Sequence, residues 1–193
     1  QAFDLIAYGR QERMICGGVQ EINWQSMCSF DALGAFSIRV DSPGVASRPF
    51  DAHRDGLVPS GGAAALVLER YDLAKNRGAS ILGEVLSYGF SSDGFHLSVP
   101  SGDGLQRAMG KALTGARLKP PDIDYLCAHA TSTPAGDAAE AENILALFGR
   151  QTPWVSSTKS MTGHELWMSG ASQVVYSTLM ARNGFIAPNA NFT

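Results

Sequence analysis

The chain has 193 residues, 45% of them hydrophobic and 17% charged, with 15 basic against 18 acidic side chains and a formal net charge of −3. This composition can bury a sizeable core and excludes general disorder. It carries no surplus positive charge for nucleic acid or anionic lipid. No apolar run nears the roughly 18 residues of a membrane span. The length suits one domain or parts of two, and the opening on Gln1, with no initiator Met and no signal peptide, predicts a fragment. Cys16, Cys28 and Cys127 are odd in number and lack CxxC spacing. They predict buried reduced thiols in a cytoplasmic protein, with neither a disulfide framework nor a metal site.

In chain order, the apolar stretch from Arg13 into Gly17-Gly18 reads as a short strand, followed by an irregular or helical piece and a turn at Asp41-Ser42-Pro43-Gly44. FDAHRDGLVPSGG, residues 50–62, has the make-up of a tight turn feeding the buried strand AAALVLE. Its glycines lack the GK[ST] ending of a phosphate loop, so phosphate binding carries little weight. Ile81 to Tyr88 reads as a strand. Leu105, Ala108, Met109, Ala112, Leu113 and Ala116 then recur at three- and four-residue intervals, one apolar face of a helix with Asp103 as its N-cap. Ile123 to Ala128 reads as a strand, and a helix follows with Ala141, Ile144, Leu145 and Phe148 on one face and Gly149 past its end. Asp137 and Glu140, three apart, resemble a capping box at its start. Trp154 to Ser157 reads as another strand and leads to a helix over about Glu165 to Asn183. Strands separated by helical segments predict an α/β fold on a mixed or parallel sheet.

Sites in such sheets form beyond the carboxyl ends of strands. Two loops there share a form: His129-Ala130-Thr131-Ser132-Thr133-Pro134, and Thr158-Lys159-Ser160-Met161-Thr162-Gly163-His164. A single loop histidine is ordinarily a hydrogen-bonded structural residue; two in matched positions point to chemistry. Lys159 follows an apolar strand and must reach solvent or find an acceptor. Glu140 reads either as that acceptor or as a helix cap. His53 and His96 lie in polar loops and read as solvated.

HATSTPAGDAAE, KSMTGH and FDAHRDG stand in register, followed by ARNGFIAPNANF, and with them the chain resembles the β-ketoacyl-acyl-carrier-protein synthases, type I and II condensing enzymes of the thiolase-like superfamily. The resemblance implies a layered α-β-α-β-α thiolase-like architecture, incomplete in this chain. Residues 1–79 would end the first half, and 80–193 would form most of the second without its final strands. It implies His129 and His164 as the active-site histidines, Lys159 as the active-site lysine, Glu140 as its partner, and Thr131 and Thr133 as the pantetheine-binding threonines. The implied reaction is decarboxylative Claisen condensation of malonyl-carrier protein with an acyl thioester in fatty acid biosynthesis. It uses no cofactor beyond the phosphopantetheine of acyl carrier protein, the implied partner, and the parent enzyme is expected to be a cytoplasmic homodimer.

The nucleophilic cysteine of that family falls ahead of Gln1, and none of Cys16, Cys28 or Cys127 stands in its place. The Gly-rich loop near the family's C-terminus is likewise missing. The fragment alone is therefore expected to be inactive. The alternative reading is a chain-length-factor-like partner that has the fold without the nucleophile, against which the retention of both histidines, the lysine and the glutamate counts. Ala130 stands where the family has glycine, and Glu165-Leu166-Trp167-Met168 puts bulk where it has small residues; Glu165 would suit a helix N-terminus.

Overall fold

The computed structural model describes residues 1–96 and 99–193. In chain order the elements are α1 (Ala2–Ala7), β1 (Arg13–Gln20), α2 (Trp24–Ala32), β2 (Gly62–Glu69), α3 (Tyr71–Asn76), α4 (Gly104–Ala116), β3 (Tyr125–Cys127), α5 (Pro134–Phe148), β4 (Trp154–Ser156), α6 (Lys159–Thr162) and α7 (Ser169–Asn183). Helices and strands are interspersed along the chain, with α3 followed by α4 and α6 by α7 without a strand between them. The chain forms two compact units. One comprises Gln1–Glu21, Gly61–Val85 and Glu165–Ile186; the other comprises Ile22–Ser60, Leu86–His164 and Ala187–Thr193.

In the first unit β1 and β2 pair antiparallel, with Arg13 opposite Glu69, Ile15 opposite Val67 and Val19 opposite Ala63. The period of two sends Met14, Cys16 and Gly18 to the face that α7 covers, and Ile15, Gly17 and Val19 to the other. Gly18 is required by close approach: a Cβ there would lie 2.8 Å from the Met168 Cα. Ile15, Val19 and Val67 are 77%, 76% and 66% exposed, so the outward face of this ribbon is apolar. Glu69 closes the ribbon's end, accepting from Arg13 Nε at 2.7 Å and Arg77 Nη2 at 2.7 Å. The helix expected over Glu165 to Asn183 begins later, at Ser169, after a single 3-10 turn over Leu166–Met168. Glu165 is not at the N-terminus of that α-helix. It is 3% exposed, and its carboxylate accepts from Ser172 Oγ at 2.6 Å and Tyr176 Oη at 2.9 Å.

In the second unit β3 and β4 pair parallel, Tyr125 opposite Trp154 and Cys127 opposite Ser156, with α5 as the crossover. Both strands are shorter than their apolar runs. The capping-box expectation at Asp137 and Glu140 fails: α5 starts at Pro134 with Thr133 as N-cap, so both acids lie past the first helical residues, and their carboxylates turn to loop backbone. Asp103 does occupy the N-cap of α4, but its side chain caps nothing and pairs with Arg107. The orphan N–H of Gln106 is taken instead by Asn143 of α5, buried, at 3.0 Å.

Two further expectations are corrected. Ile81 to Tyr88 forms no strand among the described residues, and every residue of the run but Ser87 is exposed. The three cysteines form no disulfide, but Cys28 is exposed on α2, and Cys16 and Cys127 are only partly covered.

Candidate active site

The parallel pairing of β3 and β4 brings two loops side by side, because parallel neighbours end at the same edge. His129 follows β3, and Lys159 to His164 follow β4. All six residues named as candidates, His129, His164, Lys159, Glu140, Thr131 and Thr133, lie in the second unit. The imidazole rings of His129 and His164 meet edge to face, centroids 5.2 Å apart and planes at 87°.

Each histidine is held through its backbone. Glu140 is buried on the inward side of α5, and its two carboxylate oxygens accept from His129 N at 2.8 Å and Ala130 N at 2.6 Å. His164 sits in a short parallel bridge to Pro59: its N–H donates to Val58 O at 2.7 Å, and its carbonyl accepts from Ser60 N at 2.9 Å. The residue before it, Gly163, has φ +73, and a Cβ there would come within 2.8 Å of Val58 O. Only glycine meets both conditions.

Lys159 is fully buried. Its charge acts on His129, His164 and Glu140 together. Burial, then the Lys159 ammonium, holds the His129 imidazole at about 4. Burial, then His129, then Lys159, holds His164 at about 3. His129 is also open to solvent, which screens part of that pull. Both directions agree, so both rings are neutral near pH 7 and each offers an N–H donor. Burial raises the Glu140 carboxyl, against the two backbone N–H groups that favour its charged form.

The loop after His129 is tied to residues 47–56. Asp137, 1% exposed, accepts from Phe50 N at 2.9 Å, Thr131 N at 2.9 Å and Ser132 N at 3.1 Å. Burial raises its carboxyl, opposed by those three donors and by Arg54. Ser132 accepts from Arg48 N with its Oγ at 3.1 Å and from Gly56 N with its carbonyl at 3.0 Å. It carries φ +73; Ala130, in the glycine's place, has no positive φ, so the exchange costs no strain there. Thr131 and Thr133 face each other, Oγ1 to Oγ1 at 3.1 Å. His53 and His96 are exposed, as loop composition predicts. Asp137, expected only as part of a helix cap, instead binds three backbone N–H groups of the loops around it.

Two neutral donors at right angles beside a buried ammonium can stabilise negative charge growing on an oxygen between them. Among the described residues no group of three or more His, Cys, Asp or Glu side chains could hold a metal ion.

Residues 82–193 match the family Beta-ketoacyl synthase, C-terminal domain, and residues 1–74 match Beta-ketoacyl synthase, N-terminal domain. The chain is 44% identical over 191 residues to 3-oxoacyl-(acyl-carrier-protein) synthase 1 of Escherichia coli, covering 98% of this chain and 46% of that protein. It superposes with a TM-score of 0.97 and 43% identity on a beta-ketoacyl synthase from Burkholderia phymatum, over 100% of this chain and 47% of that one. It also matches a ketosynthase solved in complex with a type II polyketide synthase acyl-carrier protein, with a TM-score of 0.95 and 33% identity over 100% of this chain and 48% of that one. The chain thus spans about half the length of the relatives it matches.

Proposed function

The chain belongs to the β-ketoacyl synthase family, with its thiolase-like α/β fold, and from that membership we propose that it is the histidine-bearing part of a 3-oxoacyl-(acyl-carrier-protein) synthase acting in fatty acid biosynthesis. The observation that carries this reading is the edge-to-face pair of His129 and His164, both held neutral beside buried Lys159.

In the proposed reaction a malonyl thioester on the phosphopantetheine of acyl carrier protein breaks its bond to the terminal carboxylate and releases CO2. The electron pair moves onto the thioester oxygen as an enolate. The N–H groups of His129 and His164 donate to that oxygen as its charge grows, a contribution realised in the transition state rather than in bound substrate. The enolate carbon then attacks an acyl thioester held on a cysteine. A C–C bond forms and the C–S bond breaks, returning the cysteine thiolate. Thr131 and Thr133 receive the amides of the pantetheine arm, and no cofactor of the enzyme's own takes part. Glu140 fixes the backbone that aims His129, and Lys159 biases both rings toward their neutral forms.

Acyl carrier protein is the proposed partner, homodimerisation the proposed state of the parent enzyme, and the cytoplasm its proposed location. Among the described residues, no helix is long and apolar enough to cross a membrane. The 193-residue chain alone is proposed to condense no acyl thioester: Cys16 lies on β1, Cys28 on α2 and Cys127 on β3, none in the place of the family's nucleophile.

In a synthase carrying this sequence, His129→Ala or His164→Ala is expected to slow decarboxylation of malonyl-carrier protein about 100-fold or more while leaving transfer of the acyl group onto the cysteine nearly intact. Equal loss of both steps would assign the histidines a structural role and overturn the reading.

A further inference from the structure

The last residues of the chain lie as a strap on the second unit, and their polar contacts converge on the two loops of the site. The Asn189 side-chain oxygen accepts from Ser157 N at 2.8 Å. Ser157 is fully buried, and its Oγ donates to Ala130 O at 2.8 Å, the carbonyl next to His129. One residue further along the strap, Ala190 N donates to Ser160 Oγ at 3.0 Å. Asn191 Nδ2 then donates to Ser47 O at 3.0 Å, and Ser47 Oγ donates to Lys159 O at 2.5 Å. Lys159, the first residue of α6, is therefore bracketed by Ser157 and Ser160, each engaged by the strap.

We infer that Asn189 is a positioning residue for the histidine pair, acting through Ser157 on the Ala130 carbonyl and so on His129. The inference rests on the proposed role of His129 and His164 as paired donors. Ser157 is the node because its backbone N–H binds the strap while its hydroxyl binds the carbonyl next to His129. With Asn189 in place, the Ser157 N–H has its acceptor, the end of β4 keeps its direction, and its hydroxyl stays within reach of Ala130. Without it, a buried N–H is orphaned, the segment moves to find another acceptor, and the Ala130 carbonyl loses its donor. The charged and titratable groups around His129 are His164, at ring contact, Lys159, and Glu140 on its backbone. A looser loop no longer fixes the imidazole against the Lys159 charge that disfavours a second charge beside it, and the fold's hold on its neutral form weakens.

The test is the titration of both imidazoles by nuclear magnetic resonance in the 193-residue chain and in Asn189→Ala, Ser157→Ala and the double variant. Asn189→Ala and Ser157→Ala are each expected to raise the His129 midpoint by about half a pH unit or more toward the ordinary value of about 6.5. The double variant is expected to move it no further than the larger single change, because both substitutions cut one relay. His129 titrating as in the parent chain in either single variant would overturn the inference, whatever happens to thermal stability. So would additive shifts in the double variant. If Asn189→Ala does not fold, Ser157→Ala decides alone, with the same two outcomes. The midpoints are read without substrate, so a failure of the histidines to support malonyl decarboxylation would strike the proposed function and leave this result standing.

Discussion

The Glu140 carboxylate accepts the backbone N–H of His129 at 2.8 Å and, with its other oxygen, that of Ala130 at 2.6 Å. A single buried acid thereby fixes two successive peptide groups at the point where the chain leaves β3. Charge-assisted hydrogen bonds of this kind contribute about 1.5–3 kcal/mol each, and their loss leaves two donors unsatisfied. Glu140→Ala is expected to lower unfolding free energy by about 3 kcal/mol, read as a fall in the urea midpoint at unchanged slope. A midpoint within error of the parent's would show that the carboxylate does not hold the loop.

The two histidines predict the acid response. Both are held below the ordinary 6.5, His129 at about 4 and His164 at about 3. Between those values and 6.5 the unfolded chain binds more protons than the folded one, so the stability that goes with neutral rings is complete above about pH 6.5 and drains as pH falls through the folded midpoints. Asp137 and Glu140, raised by burial, act the other way and stabilise in acid. A one-unit displacement of a midpoint is worth about 1.4 kcal/mol. Solvent at both rings screens part of it, so the histidines together are expected to cost about 2 kcal/mol between pH 7 and 4. His164→Gln cannot charge and should lose less stability over that interval than the parent; an identical pH profile would contradict the assignment.

Asp137 joins residue 50 to residues 131 and 132 by accepting three backbone N–H groups. Asp137→Ala should release them together. Amide exchange at Thr131 and Ser132 is expected to accelerate at least about tenfold relative to amides within α4, and the chain to lose about 3 kcal/mol. Unchanged exchange at both amides would mean that other contacts fix the loop.

Gly163 combines φ +73 with a neighbour at 2.8 Å from any added Cβ. Gly163→Ala is expected to cost about 2 kcal/mol, seen as a lower thermal midpoint. Loss of slow exchange at the His164 amide, which now donates to Val58 O, should accompany it. A variant as stable as the parent would remove the constraint.

The candidate site was legible where chemistry demands residue types at the ends of strands. His129, Lys159 and His164 were found because loops after two apolar runs matched in form, and the parallel register of β3 with β4 is what makes that match a place. α4 was legible from its apolar period. Three things were not. The run Ile81 to Tyr88 has the composition of a strand, but a ladder needs a partner strand, which local pattern does not encode. The spacing of Asp137 and Glu140 matched a capping box, yet Pro134 starts α5 early and frees both acids for tertiary bonds. Asn189 stands in the stretch ARNGFIAPNANF, but nothing in that stretch or around Ser157 names a role for either residue; their importance comes from a contact across 32 residues.

The ribbon of β1 and β2 turns Ile15, Val19 and Val67 toward water on the face away from α7. A two-stranded ribbon with apolar residues on both faces has its preferred surroundings in a sandwich rather than in solvent. The chain is therefore expected to self-associate increasingly as its concentration rises and to do so less in mild non-ionic detergent. Ile15, Val19 and Val67 are the side chains at which polar substitution would restore solubility without touching either histidine loop.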